Sequence, residues 1–125
     1  MLFDSINYLS GADHNILIAF STLSTPTDGA LLGRYSVNQP FTIPAGMTGS
    51  NAESETAPTA AAAYSVKKNG VSVGTINFAL GANDATFTMA TDTDFVLDDI
   101  LTLEAPATAD VTHDLIAFTI KTVAT

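Results

Sequence analysis

The chain contains no cysteine and no tryptophan, and only four of its 125 residues are lysine or arginine. Without cysteine there can be no disulfide, no thiolate nucleophile and no cysteine-ligated metal. Thirteen aspartates and glutamates give a formal net charge of −9, whereas a surface that binds nucleic acid or an anionic membrane needs clustered cations. The composition therefore argues against nucleic acid and membrane as partners, and it favours partners that are neutral or basic.

Two further absences concern the membrane and catalysis. No apolar run reaches the roughly 18 residues that a membrane-spanning helix needs, and the N-terminal Met-Leu-Phe-Asp lacks the basic segment of a secretory signal. We therefore expect no export by that route and synthesis in the cytoplasm. The G-x-S-x-G, Walker A and H-E-x-x-H motifs are also missing. The sequence predicts no enzyme, no cofactor and no metal site.

What is present is a pattern of short β-strands, which is clearest in the segment 62–78. Asn69-Gly70 is a strong signal for a two-residue type I′ turn, because both residues accept positive φ at little cost. The apolar residues after the turn change parity along the strand, so we predict a β-bulge at Gly74 that brings both sets to one side. The two sets are Val71 and Val73, and Ile76, Phe78 and Leu80.

Eight or nine such strands are expected at intervals of roughly ten residues, which is typical of an antiparallel sandwich. The apolar run 16–20 predicts a strand buried on both faces, and the polar, small residues of 47–58 predict an exposed loop. The predicted fold is all-β, an antiparallel β-sandwich that is jelly-roll-like, because the cysteines and tryptophan of an immunoglobulin core are absent. A short N-terminal arm, 1–12, precedes this single domain, 13–125.

The acidic residues of the C-terminal half were weighed as calcium ligands, since Ca²⁺ takes six to eight oxygen atoms. Their spacing does not follow the EF-hand pattern, and aspartate is itself a favoured turn residue. We therefore interpret them as solvated turn residues. They are Asp92, Asp94, Asp98, Asp99, Glu104, Asp110 and Asp114.

Other combinations of residues give equally little support for chemistry. The histidines are His14 and His113, and in Thr112-His113-Asp114 neighbouring side chains point to opposite faces of an extended chain. Glu53 and Glu55 could form a glycosidase pair only across a groove that raises one pKa, which an exposed loop does not offer. Most aromatic residues fall at inward positions, and the candidates for exposure are Tyr8 and Tyr35. The predicted core aromatics are Tyr64, Phe78, Phe87, Phe95 and Phe118.

Several short motifs occur in order between residues 41 and 121. They are F-T-I-P-A-G, S-V-K-K-N-G-V-S-V-G-T-I-N-F, D-D-I-L-T-L-E-A-P-A-T and D-L-I-A-F-T-I-K. Together they resemble a recurrent small β-domain of tailed-bacteriophage virion proteins, over about two-thirds of the chain. The resemblance implies a structural or adhesive module without catalytic residues, located in the virion.

A free-standing, acidic domain of this kind resembles capsid decoration (cement) proteins. The resemblance implies binding to the outer surface of the phage head, with the major capsid protein and further copies of itself, as a homotrimer, for partners. The expected contact segments are the arm and the loop 47–58. The contact residues would be Leu2, Phe3, Ile6, Tyr8 and Leu9 in the arm, and Met47, Glu53 and Glu55 in the loop. The alternatives are a tail or neck structural component and a receptor- or glycan-binding fibre module.

Overall fold

The structure of the protein is a computed structural model that describes residues 17–125. The predicted arm 1–12, with its five contact residues, and His14 lie outside the described residues. Within them, the chain forms eleven strands and one 3₁₀ turn, Ala45–Met47. The strands are β1 Leu17–Ser21, β2 Leu31–Ser36, β3 Phe41–Ile43, β4 Asn51–Thr56, β5 Ala62–Lys68, β6 Val71–Phe78, β7 Thr86–Thr88, β8 Thr93–Phe95, β9 Ile100–Glu104, β10 Asp114–Lys121 and β11 Val123–Ala124.

These strands build three sheets in which every pairing is antiparallel. One sheet has the order β1-β10-β4, a second β11-β3-β8, and the third β2-β9-β5-β6-β7. Only Thr122 separates β10 from β11, so one stretch of chain contributes to both three-stranded sheets. The fold is all-β and antiparallel, as the sequence predicts, and it is consistent with a β-sandwich. Its jelly-roll character stays a prediction.

The hairpin of β5 and β6 forms where the sequence predicts it. Asn69 and Gly70 have φ of 50° and 84°, as a type I′ turn requires. The pairing then shifts by one residue, from Val66 opposite Gly74 to Lys67 opposite Ser72, which confirms the β-bulge. The bulge brings Val73 against the core and puts Val71, opposite Lys68, on the side of Ile76 and Phe78, as predicted. Val71 and Leu80 are nevertheless exposed, and Leu80 lies beyond the end of β6.

The first strand differs from its prediction. Ile18 is buried, but Leu17 and Ala19 are exposed, so β1 is covered on one face and not on both. The reason is that the core covers only one face of the β1-β10-β4 sheet, since the alternate residues of β4 and β10 are exposed in the same way. Phe20 reaches across to β2 and packs on Gly33, where a Cβ would lie 2.2 Å from the ring.

The predicted exposed loop 47–58 is also wrong, because its centre is strand β4. Asn51–Thr56 has little apolar side chain, but its backbone pairs with β10 and only the small residues Ala52 and Ser54 point inward. Met47 is 1% exposed and belongs to the core. The surface of the subunit therefore does not present its side chain for contact.

The core lies under alternating residues of the long strands. Leu101 and Leu103 of β9 are fully buried, as are the alternate residues of β10 at 116, 118 and 120. Aromatic rings fill two regions of this core. One is the stack of Phe41 on Phe95, with ring centroids 5.1 Å apart. The other joins Tyr64, Phe78, Phe118 and His113. Phe87 is only partly buried.

Candidate functional site

Asp110 joins two loops at one end of the fold. Its Oδ2 accepts hydrogen bonds from the backbone N–H and hydroxyl of Thr59 and from the N–H of Ala60, at 2.8–3.0 Å. Its Oδ1 accepts from the hydroxyl and N–H of Thr112 and from the N–H of His113. These bonds, first those from Thr112 and then those from Thr59, hold the pKa of the carboxyl well below its usual range. The carboxylate of Asp110 therefore links the two loops, and these hydrogen bonds already use its lone pairs.

Other predicted turn acids act in the same way. Asp99 accepts from the N–H of Val96 and the side-chain amide of Asn69, which lowers its pKa and ties the hairpin turn to the turn before β9. Asp92 accepts from the N–H of Ala45, and Asp94 from the hydroxyl of Thr42. Further acids with their own contacts are Asp28, which accepts from the N–H of Ala109, and Glu104, whose carboxylate lies 2.8 Å from Lys67 Nζ.

Across residues 17–125, acidic side chains and histidines nowhere form a group of three or more that could hold a metal ion. Of the carboxylates that the sequence offers as calcium ligands, four lie between strands, as expected of turn residues, namely Asp92, Asp98, Asp99 and Asp110. Asp94, Glu104 and Asp114 lie in β8, β9 and β10, so their interpretation as turn residues is wrong.

His113 is fully buried, and its partner is Tyr64. The phenol oxygen and imidazole Nδ1 lie 2.7 Å apart, and the imidazole meets Phe78 edge-on with a centroid distance of 4.4 Å. Nε2 has no hydrogen-bond partner among the described residues. Burial lowers the pKa of His113, and burial together with the charge of Asp110 raises the pKa of Tyr64. A neutral imidazole in an aromatic core is a packing element. No local pattern reveals this pairing, because 49 residues separate Tyr64 from His113.

An open depression lies beside the same loops. Its volume is about 530 Å³, and it runs between the segment after β1 and the segment after β9. The residues that line it are Thr25, Pro26, Thr27, Asp28, Ala109 and Val111. The carboxylate of Asp28 already accepts a hydrogen bond from the backbone of Ala109. The depression therefore lacks the convergent polar groups that define a small-molecule site.

The outward side of the β1-β10-β4 sheet is an exposed strand surface that carries two of the predicted contact residues. Alternation places one set of side chains in the core and leaves the other set on this surface, which we call the β10 face. It consists of Leu17, Ala19 and Ser21 of β1, Leu115, Ala117, Thr119 and Lys121 of β10, and Asn51, Glu53 and Glu55 of β4. Glu53 and Glu55 are exposed and share this face, so the structure brings these two predicted contact residues together.

The fold is all-β, and the aspartates described above mainly connect loops through hydrogen bonds. Within residues 17–125, no helix is both long and apolar enough to cross a membrane. In comparisons with known proteins, neither a family model, nor a curated protein, nor a solved structure matches the chain.

Proposed function

We propose that this chain is a non-catalytic structural protein of a phage virion, and that it decorates the outer surface of the capsid. The observation that carries the proposal is the use of the carboxylates. Asp110, Asp99 and Asp28 each accept hydrogen bonds from loop backbone, so the carboxylates best suited to chemistry serve to hold loops together. A domain stiffened in this way suits a load-bearing role on a surface lattice.

The motif resemblance between residues 41 and 121 supplies the virion context, and the charge supplies the mode of binding. A subunit with a net charge of −9 fits a partner surface that is neutral or basic. On this proposal the major capsid protein is the partner, and many copies gain avidity because the lattice repeats the contact. The arm 1–12 remains the proposed segment that engages the capsid.

The glycan-binding alternative has less support. A sugar-binding platform needs exposed aromatic faces, and between residues 17 and 125 every aromatic side chain is buried or half-buried. Tyr35, the candidate for exposure in this range, lies against the core with its ring centroid 6.3 Å from that of Phe41. The remaining candidate, Tyr8, lies outside the described residues.

The deciding experiment counts copies of this protein in purified virions, with the major capsid protein as the internal standard. Hundreds of copies in simple ratio to the capsid subunit are expected for a decoration protein. A dozen or fewer would instead indicate a tail, neck or fibre component, and complete absence would refute the virion assignment.

A second experiment tests the arm. Capsids that lack the protein are mixed with full-length protein and with a variant that lacks residues 1–12, and bound protein is measured after sedimentation. Loss of binding with an unchanged unfolding midpoint supports the role of the arm. A second variant, Glu53→Gln with Glu55→Gln, keeps the arm and tests whether the two exposed carboxylates of β4 contribute to the same contact. Unimpaired binding by the shortened protein would refute a capsid contact through the arm.

A further inference from the structure

We propose that the β10 face is a contact between two copies of this chain, related by a two-fold axis that runs across the strands. This inference concerns self-association in solution and goes beyond the proposed capsid function. It begins with the centre of the face, where Ala117 and Thr119 of β10 have Ala19 and Ser21 of β1 beside them. Small side chains on a regular strand surface let a second sheet approach closely.

Apolar groups extend this centre toward both ends. Leu17, 63% exposed, lies at one end opposite Lys121, and Leu115, 42% exposed, lies at the other. These apolar groups lie along β1 and β10, whereas Glu53 lies beside Ala117 on the β4 side of the face. The exposure of Leu17 and Leu115 to water in the subunit is costly unless another surface covers them.

The charges of the face are arranged so that it complements itself. Lys121 lies at one end of β10, and its side chain leans over Gly49, where a Cβ would be 2.6 Å from Lys121 Cδ. Glu55 lies on β4 at the opposite end, next to Leu115, between the register pairs 114–56 and 116–54. Six residues of strand separate these ends, which is roughly 20 Å. Neither Lys121 nor Glu55 forms an ion pair with any residue from 17 to 125.

A two-fold rotation about an axis across the strands exchanges the two ends of the face. Lys121 of one copy then lies over Glu55 of the second copy, and the same pair forms again at the other end. Near the axis, Ala117 and Thr119 of one copy meet the same two residues of the second copy. Such a contact is isologous and closes on itself, as most homodimer contacts do.

The outer face of the five-stranded sheet is less apolar. Of its cations, Lys67 pairs with Glu104 within the subunit at 2.8 Å, and Arg34 lies opposite Thr102 on β9. Its central rows contain serine and threonine, among them Ser65 and Thr75. Hydrated hydroxyl groups give less free energy on burial than the leucines and alanines of the β10 face.

The size of the face sets the expected strength of the contact. Three strands about 4.8 Å apart and roughly 20 Å long give a projected area of roughly 300 Å² per copy. A standard protein complex buries about 800 Å² per partner. We therefore expect a dimer that dissociates on dilution and forms at millimolar concentration. Subunits crowded on a lattice would have a local concentration of this order.

The test is sedimentation velocity of the full-length chain from micromolar to millimolar concentration, at low and at high salt. Wild type is expected to pass from monomer to dimer, with weaker association at high salt because the ion pairs are screened. Ala117→Arg places a charge at the centre of the face and is expected to abolish the dimer. The matched control is Ala63→Arg, which changes an exposed alanine on the outer face of the other sheet and is expected to leave dimerisation unchanged.

Charge reversal tests the two-fold geometry itself. Lys121→Glu and Glu55→Lys are each expected to raise the dissociation constant about tenfold or more. The double variant restores both pairs and is expected to recover wild-type association. These residues lie at the ends of the face, so the test holds even where Ala117→Arg impairs folding.

Three results would overturn the proposal. They are a monomer at every concentration, a dimer indifferent to Ala117→Arg, and a double variant no better than either single one. A trimer alone would also overturn it, whereas a hexamer would show the two-fold contact beside a separate three-fold one. None of these results depends on copy number in virions, so this proposal and the capsid function can fail separately.

Discussion

Removing the hydroxyl of Tyr64 should expose how much the buried Tyr64–His113 pair stabilises the fold. The phenol oxygen lies 2.7 Å from Nδ1, and Nε2 has no partner among residues 17–125. Tyr64→Phe therefore leaves a fully buried imidazole without its one hydrogen bond. An unsatisfied buried polar group costs about 1–3 kcal/mol. For a chain of this length, each kcal/mol lowers the melting temperature by roughly 3–6 °C.

The same pair gives stability a pH dependence with a defined sign. Burial lowers the pKa of His113, so the folded state keeps the imidazole neutral when the unfolded state, with a pKa of about 6.5, takes up a proton. Stability from this group is complete above about pH 6.5 and falls as the pH drops toward the lowered value. We expect the free energy of unfolding to decline between about pH 7 and pH 5.

The assay is urea unfolding followed by circular dichroism at pH 5, 6, 7 and 8. The double variant Tyr64→Phe/His113→Phe replaces both polar partners by apolar rings, and it is expected to recover most of the stability lost in Tyr64→Phe. It should also lose the decline between pH 7 and pH 5. The matched control, His14→Gln, removes the chain's other imidazole. Two results would refute the reasoning: Tyr64→Phe as stable as wild type, or a double variant with an undiminished pH dependence.

Three further substitutions test the loops and the bulge. Asp110→Asn should lower the urea midpoint at pH 7, and the deficit should shrink as the pH falls below about 4, because the folded carboxylate has a lowered pKa and its contribution is lost in acid. A deficit independent of pH would contradict this. Gly74→Ala places a Cβ 2.8 Å from the backbone oxygen of Thr88 and should cost about 1–3 kcal/mol by steric overlap. In Gly70→Ala the added Cβ meets open space, but φ is +84°, so backbone strain alone should cost about 1–2 kcal/mol. Calorimetry that shows either glycine variant to be as stable as wild type would contradict its explanation.

The parts of the fold that could be predicted are those written in neighbouring residues. The Asn69-Gly70 turn and the alternation in β10 are local signals, and both are confirmed. Strand β4 was missed because its sequence is polar, and its pairing depends on β10, which comes some sixty residues later along the chain. The apolar run 16–20 has the composition of a strand buried on both faces, but the sheet that contains β1 leaves one face open.

The candidate site, too, could be predicted only where the signal lies in neighbouring residues. That Asp110 is a turn residue could be predicted from its type, but not that it joins residues 59 and 60 to 112 and 113, because those partners are brought together by the fold. The pairing of Tyr64 with His113 has the same cause. The sequence predicts Glu53 and Glu55 as contact residues of a loop and not as part of the β10 face, since a shared surface depends on strand order, and strand order is not a local property.

The position of β10 in the middle of its sheet also constrains how the chain can fold. Its neighbours are β1, which begins at Leu17, and β4, whereas β10 itself ends at Lys121. During synthesis the five strands β2, β9, β5, β6 and β7 are all available once residue 104 has been made. Until β10 is made, β1 and β4 have no central strand to pair with. Pairings between distant segments close late and slowly, so Ile18 and Phe20 have no pairing with β10 until that strand has been made. The growing chain is therefore prone to aggregate in the interval before β10 emerges from the ribosome.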